Sequence, residues 1–291
     1  MLTIEKIVLI TLVVLLTNFS AGHLLASHWQ PTNAFFPFTL NASDKGTPTM
    51  SEVEYHQRLD QFTSLYNGEF EHRQVEFSFI RRWSDGIINA RSSQQGGEWS
   101  ITVNGGLART KHMTKDAFDA VICHEIGHHL GGAPHYLTQW SWASTEGQAD
   151  YFSALKCLRK LYQNDDNVAL IAKQEIDPLV KSRCNQVFSS PQKSAICQRA
   201  AAAGMVIARL QNWARRSRRS LAFDTPDAQE VSTTLEGYPS AQCRLDTYLA
   251  AATCPVAKEI ELSPSDPTQG VCIADSHHFG FRPACWFFLS I

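Results

Sequence analysis

The sequence lacks a strong charge of either sign, an internal repeat and an unbroken apolar run of membrane-spanning length. Its 26 Lys and Arg residues nearly balance 28 Asp and Glu residues, so the formal net charge is −2. Such a balance creates no field that would favour nucleic acid or an acidic lipid surface. The hydrophobic content of 44% is ordinary for a globular protein, and 291 residues suffice for one large domain. We therefore expect a globular protein without a nucleic-acid partner.

The first residues have the features of a secretory signal peptide. One early lysine, Lys6, precedes the apolar run Ile7–Leu16, and small residues follow at 20–22. A spanning helix needs about 20 apolar residues, and polar residues interrupt the run, so cleavage is favoured over a retained anchor. We assign residues 1–26 to this signal or anchor and residues 27–50 to a linker or strap. A cleaved chain would be periplasmic or secreted without a membrane span, whereas a retained segment would tether it.

The cysteines lack the C-x-x-C spacing that is typical of a cysteine zinc site. Their count of 8 is even, which behind a signal peptide indicates disulfides in an oxidising compartment. Short spacing along the chain favours the pairs Cys184–Cys197, Cys243–Cys254 and Cys272–Cys285. This choice would leave Cys123 and Cys157 as buried thiols.

Capping residues and hydrophobic periodicity predict a mixture of helices and strands. The expected helices run from Ser51 to Asn67, from Thr114 to Gly131, from Ser144 to Tyr162, from Ala195 to Trp213 and from Cys243 to Ala252. The expected strands are Val75–Trp83 and Gly86–Arg91, joined by a hairpin turn, and Trp99–Val103 after a turn at Gly96-Gly97. Trp99–Val103 could accept an extended substrate at its edge or be an ordinary inner strand.

His124, Glu125 and His128 form an H-E-x-x-H motif inside the apolar helical stretch Ala117–Gly131. Residues four apart lie on one face of a helix, so the two histidines can hold one metal ion. Glu125 lies beside them, where it could accept a proton from a water on that ion. Two histidine ligands and a glutamate base are the zincin arrangement, which predicts bound Zn²⁺.

The third protein ligand has two candidates. A metzincin-like site needs a histidine at 134, where the chain has Pro134, while His135 lies one residue late. The alternative is Glu146, at the start of the next predicted helix. Asp150 follows it by one helical turn and could accept the N–H of a liganding histidine, which would fix the tautomer of that ring. Tyr136, beside His135, could rim the cleft.

The segments around these residues resemble, in their order along the chain, those of one peptidase family. They are Ile88–Ala90, Trp99–Leu107, Phe118–Cys123, the E-x-x-A-D motif at Glu146–Asp150, and Tyr238-Pro239 with Arg244. Together they resemble the gluzincin peptidases of the HtpX and CAAX-prenyl-protease type. The resemblance covers roughly residues 50–160, with one short motif between 235 and 250.

The resemblance implies an α+β, zincin-like metallopeptidase domain, in which a small sheet packs on the H-E-x-x-H helix and on a second, ligand-bearing helix. It implies His124, His128 and Glu146 as zinc ligands and Glu125 as the catalytic base. The chain departs from the family in having Tyr238 where a late histidine is expected, and in lacking multiple membrane spans. Tyr238 or Arg244 could stabilise a developing oxyanion, and either could instead be structural.

The predicted function is a zinc-dependent endopeptidase that hydrolyses peptide bonds of envelope or secreted proteins. Residues 51–220 would form the catalytic domain, and residues 221–291 a loop-rich, disulfide-bearing extension packed on it. One alternative is a non-catalytic zinc-containing binding or chaperone-like envelope protein, although such a site would not need Glu125. Another is an amidase or a different hydrolase on the same zinc scaffold.

Overall fold

The protein has an α+β fold, as the sequence predicts. The structure, a computed structural model, describes residues 33–36, 49–137, 141–274 and 276–288, which belong to one compact unit, Thr32–Ile291. The predicted signal or anchor at 1–26 and most of the predicted linker lie outside the described residues. In the part of the chain that is described, no helix is long and apolar enough to cross a membrane.

Four strands form one sheet in the order β1-β3-β4-β2. Their bounds are Asn33–Ala34 for β1, Glu76–Arg82 for β2, Ala90–Gln95 for β3 and Glu98–Asn104 for β4. Strands β3 and β4 are antiparallel and are joined by Gly96 and Gly97, whose φ angles of +59° and +90° favour glycine. Strand β2 runs parallel to β4, and β1 runs antiparallel to β3.

Strand β4 pairs with a strand on each side, so of the two alternatives for Trp99–Val103 the structure has the ordinary inner strand. The predicted hairpin is wrong, because strands β2 and β3 are not neighbours. The connection between them leaves the sheet and packs on helix α2, Gly105–Arg109, where the Gly106 N–H donates to the Asp85 carbonyl at 2.8 Å. A Cβ at Gly106 would lie 2.1 Å from the Gly86 carbonyl oxygen, so this close approach requires glycine.

Helix α1, Glu52–His72, and helix α3, Lys115–Leu130, begin where capping residues predict. Ser51 and Glu54 form a complete capping box, and the Thr114 hydroxyl accepts from the Ala117 N–H. Helix α1 continues past the predicted end at Asn67 because Phe70, in its last turn, is buried in the core. Helix α3 ends at Gly131 as expected.

The predicted helix from Ser144 to Tyr162 is interrupted. It consists of α4 at Glu146–Phe152, one π-helical turn at Ser153–Cys157 and α5 at Leu158–Leu161. The remaining helices are α6 at Asn167–Ile171, α7 at Pro178–Val187, α8 at Pro191–Ala214 and α9 at Ala241–Thr253. The sequence predicts α8 and α9 to within a few residues.

All eight cysteines form disulfides, and only one predicted pair is correct. Cys184–Cys197 is confirmed. The other bonds are Cys123–Cys157, Cys243–Cys285 and Cys254–Cys272, so Cys123 and Cys157 are not thiols. Cys123–Cys157 ties α3 to the π-helical turn after α4 and so holds together the two helices of the site described below. Four disulfides indicate an oxidising environment.

Helix α3 runs through the centre of the core. Every residue from Ala117 to Leu130 is buried, including Asp119 and the whole H-E-x-x-H motif. Buried polar side chains are costly unless they have hydrogen-bond partners or bind an ion. Each buried polar side chain of α3 is therefore expected to have a hydrogen-bond partner or to bind an ion.

Candidate metal centre

Helices α3 and α4 bring three potential metal ligands together in the core. His124, His128 and Glu146 each offer one ligand atom, and these atoms lie within 4.8 Å of one another. All three side chains are fully buried. The Nε2 atoms of both histidines and Oε2 of Glu146 make no hydrogen bond to any described residue. Three orphaned buried polar atoms at one place are the arrangement that a bound cation would satisfy.

Two of the spacings between ligand atoms are close to those around a tetrahedral ion. Bonds of about 2.0–2.1 Å in a tetrahedral zinc site place the ligand atoms roughly 3.3–3.5 Å apart. Nε2 of His124 lies 3.4 Å from Oε2 of Glu146, and Nε2 of His128 lies 3.7 Å from Oε1 of Glu146. The group could therefore hold a metal ion.

Each histidine is oriented through its other ring nitrogen. Nδ1 of His124 lies 2.8 Å from Oδ1 of Asp150, and Nδ1 of His128 lies 2.8 Å from the Ser144 carbonyl oxygen. Both partners accept a hydrogen bond, so they place the proton on Nδ1 and leave Nε2 free to coordinate. The structure thus puts Asp150 in the position that the sequence suggests.

Asp150 is held in turn by Arg244 from α9. Nε of Arg244 donates to Oδ2 of Asp150 at 2.8 Å, and Nη2 donates to Oδ1 at 2.6 Å. Burial alone would raise the pKa of Asp150, but Arg244 and His124 outweigh it and hold the pKa below its usual value. The Arg244 guanidinium also donates to the Phe35 carbonyl at 3.3 Å. Arg244 therefore acts on the site through Asp150, as a positioning residue.

Glu125 is separate from the ligand group and retains one unpaired oxygen. The Ser92 hydroxyl on β3 lies 2.6 Å from Oε2 of Glu125, whereas Oε1 has no hydrogen-bond partner among the described residues. Burial raises the pKa of Glu125 to about 8. A buried carboxyl group beside potential metal ligands is a candidate for proton transfer.

The two histidines of the group have opposite electrostatic surroundings. Burial disfavours the charged form of His124, but the carboxylates of Asp150 and Glu146 prevail and raise its pKa to about 9. Burial and the neighbouring His124 lower the pKa of His128 well below its ordinary value.

Two tyrosines lie beside the ligand group. The Tyr136 hydroxyl donates to Oε1 of Glu146 at 3.2 Å. Tyr238 donates its hydroxyl hydrogen to the Ala34 carbonyl. Burial raises the pKa of both phenols, and the charge of Glu146 raises them further. Both side chains therefore stay protonated and can act as hydrogen-bond donors near the site.

His135 and His129, the neighbours of the motif along the chain, lie outside the group. Nδ1 of His135 lies 2.9 Å from the Ser141 carbonyl oxygen, at the protein surface. The structure therefore favours Glu146 over His135 as the third ligand. His129 stacks on the Trp99 ring at 5.1 Å and lies 3.1 Å from the Gln94 amide, so it packs against the sheet.

Three contributions were not visible in the sequence. Ser92 reaches Glu125 only because β3 lies against α3, and no motif marks that serine. The Ser144 carbonyl that orients His128 is a backbone group and leaves no signature in the side chains. Tyr136 was expected only at the rim of a cleft, yet it contacts the carboxylate of Glu146. A cis peptide bond before Pro134 lies in the turn that leads to Tyr136.

Comparison with known proteins gives no relative for this arrangement: no family model, no curated protein and no solved structure matches the chain.

Proposed function

We propose that the chain is a zinc-dependent peptide hydrolase with a gluzincin-like His-His-Glu site. The observation that carries the proposal is the group of three orphaned ligand atoms with a fourth, unpaired carboxylate oxygen on the neighbouring Glu125. Structural zinc sites have four protein ligands, whereas catalytic sites have three and keep one position open. Three ligands and an adjacent base fit the catalytic kind.

His124, His128 and Glu146 would hold the ion. When bound, Zn²⁺ supplies Lewis acidity, which lowers the pKa of water and polarises a carbonyl group. Glu125 would accept the proton of the attacking water and pass it to the leaving amine. Ser92 keeps the Glu125 carboxylate in place for both transfers through its 2.6 Å hydrogen bond.

The oxyanion that develops on the substrate needs hydrogen-bond donors. Tyr238 donates its hydroxyl hydrogen to a peptide carbonyl, that of Ala34, and we assign this role to Tyr238. Arg244 is engaged with Asp150 and holds His124 in position, so its contribution is indirect. The disulfides favour an oxidising compartment, which supports exported or envelope proteins as the proposed substrates.

A non-catalytic metal-binding protein is the other candidate. It would need the ligand group but would have no use for an unpaired, buried carboxylate oxygen on Glu125. A buried acid of this kind is costly and calls for a chemical role.

Removal of the metal is expected to abolish peptide hydrolysis, because the remaining groups cannot activate water without it. Hydrolysis of fluorescein-labelled, unfolded casein at saturating concentration would be measured before and after chelation, and after adding back one equivalent of Zn²⁺. Activity should fall to background and return with zinc. Full activity in the chelated protein would contradict the proposal.

His135→Ala provides a matched control, because this histidine lies near the site but outside the ligand group. It should show the same zinc dependence as the wild type.

A further inference from the structure

Residues 33–36, here called the N-terminal strand segment, add a strand to the edge of β3. Asn33 and Ala34 pair with Ser92 and Arg91 in antiparallel register. The Phe35 N–H donates to the Ala90 carbonyl at 2.9 Å. These are the main-chain hydrogen bonds that a bound extended peptide would make with a free sheet edge.

A side-chain clamp continues this pairing. The Asn89 amide binds both backbone groups of Phe36: its Oδ1 accepts from the N–H at 3.0 Å, and its Nδ2 donates to the carbonyl at 3.0 Å. Such a clamp recognises the backbone of an extended chain without regard to its side chain.

The N-terminal strand segment also contacts the groups of the candidate site. The Phe35 ring packs edge-on against the ring of His124 at 4.8 Å, and the Arg244 guanidinium lies over it at 4.1 Å. Tyr238 and Arg244 donate to the carbonyls of Ala34 and Phe35. Tyr238 and Arg244, which have roles in the proposed function, therefore bind the peptide backbone of the chain itself.

The result is a closed site. The side chains of His124, Glu125, His128 and Glu146 are 0% exposed, and Phe35 is also 0% exposed. Ser92, which holds Glu125, stands opposite Asn33 in the register of the two strands. The N-terminal strand segment therefore runs past the proposed base, where a peptide to be hydrolysed would have to lie.

We propose that the edge of β3 at residues 89–92 is a peptide-binding site, and that the N-terminal strand segment occupies it as an intramolecular pseudosubstrate. The ligand class is an extended peptide with an aromatic side chain at the position of Phe35, between His124 and Arg244. This inference rests on the proposed function, because it names the substrate class of the same site and the segment that keeps the site inactive. The binding step itself requires no hydrolysis.

Competition by a tethered segment has a predictable size. A segment on a short linker has an effective concentration on the order of 1 mM. A free peptide that would bind with a Kd of about 10–100 µM is then weakened roughly 10- to 100-fold. Release of the segment should restore the affinity for the free peptide.

The test uses the full chain with zinc bound and with Glu125→Gln, so that nothing is cleaved. The probe is a fluorescein-labelled peptide with the sequence of residues 32–37, and its binding is followed by fluorescence anisotropy. Phe35→Ala removes the ring that anchors the segment and should bind the probe at least 10-fold more tightly than the parent.

The matched control is Phe62→Ala, which removes a fully buried phenylalanine of α1 that is not part of the segment. It should bind the probe as weakly as the parent. If Phe35→Ala does not fold, Phe35→Leu keeps the apolar volume and loses only the aromatic contacts, and it should bind the probe about 3-fold or more tightly.

Equal binding of the probe to the parent and to a folded Phe35 variant would overturn the inference, and so would an absence of binding to both. In either case the segment would be an ordinary structural strand. Tighter binding by the variant supports the inference, whether or not the protein hydrolyses peptides. If the chain with Glu125 present hydrolyses nothing, only the peptidase proposal fails.

Discussion

Glu125→Gln is expected to lower kcat for casein hydrolysis by about 10²- to 10⁴-fold while the protein keeps its metal. The amide has nearly the shape of the carboxylate, but it cannot accept a proton from water. The metal should stay because Glu125 is not in the group of His124, His128 and Glu146. The measurement is kcat at saturating substrate together with zinc content on the same preparation.

The control for this prediction is Asp119→Asn, the same change at another buried carboxylate of α3. Asp119 pairs with Arg58, and burial raises its pKa to about 6. Its loss should lower stability and leave kcat near the wild-type value. A Glu125→Gln protein that holds zinc and hydrolyses casein at the wild-type rate would rule out the base role.

Arg244→Met is expected to lower the free energy of unfolding by about 3–5 kcal/mol, because it leaves the Asp150 carboxylate buried without its partner. Both side chains are 0% exposed, so water cannot replace the lost hydrogen bonds. Zinc affinity should also fall, by about 10- to 100-fold, since Asp150 orients His124. Urea unfolding and a competitive zinc titration measure the two effects.

Arg81→Met is the matched control for the buried pair. Arg81 lies 2.6 Å from Asp60, the same distance as the closest contact between Arg244 and Asp150, but Asp60 is 64% exposed. An exposed pair of this kind contributes at most about 1 kcal/mol. Equal losses in the two variants would show that burial of Arg244 and Asp150 does not have the expected energetic consequence.

The site was far easier to predict than the sheet, because its signals are local. His124, Glu125 and His128 share one helix, and helical geometry alone brings the two histidines to one face. Thr114 and Gly131 mark the ends of that helix in the sequence. The pairing of Glu146 with this group needs tertiary structure, and the sequence suggested it only through a helix start and the E-x-x-A-D resemblance.

The largest errors concern contacts between distant parts of the chain. No local pattern in Glu76–Arg82 or Glu98–Asn104 indicates that β2 and β4 pair in parallel. Because β2 and the next strand are adjacent along the chain, the sequence wrongly favoured a hairpin between them. Disulfide pairing has the same character: Cys243 bonds Cys285 rather than the nearer Cys254 because α9 and the C-terminal loops decide which sulfurs meet. The N-terminal strand segment gave no signal, since two paired residues are too few for a periodic pattern.

The most direct test of the central claim is the zinc content of the purified protein by elemental analysis, for the wild type, His124→Ala, Glu146→Ala and His135→Ala. The account predicts about one zinc per chain in the wild type and in His135→Ala, as a single three-ligand site holds one ion. It predicts that zinc is lost or much weakened in His124→Ala and Glu146→Ala. A folded wild-type protein that holds no zinc when zinc is supplied, or a Glu146→Ala protein that retains all of it, would contradict the account.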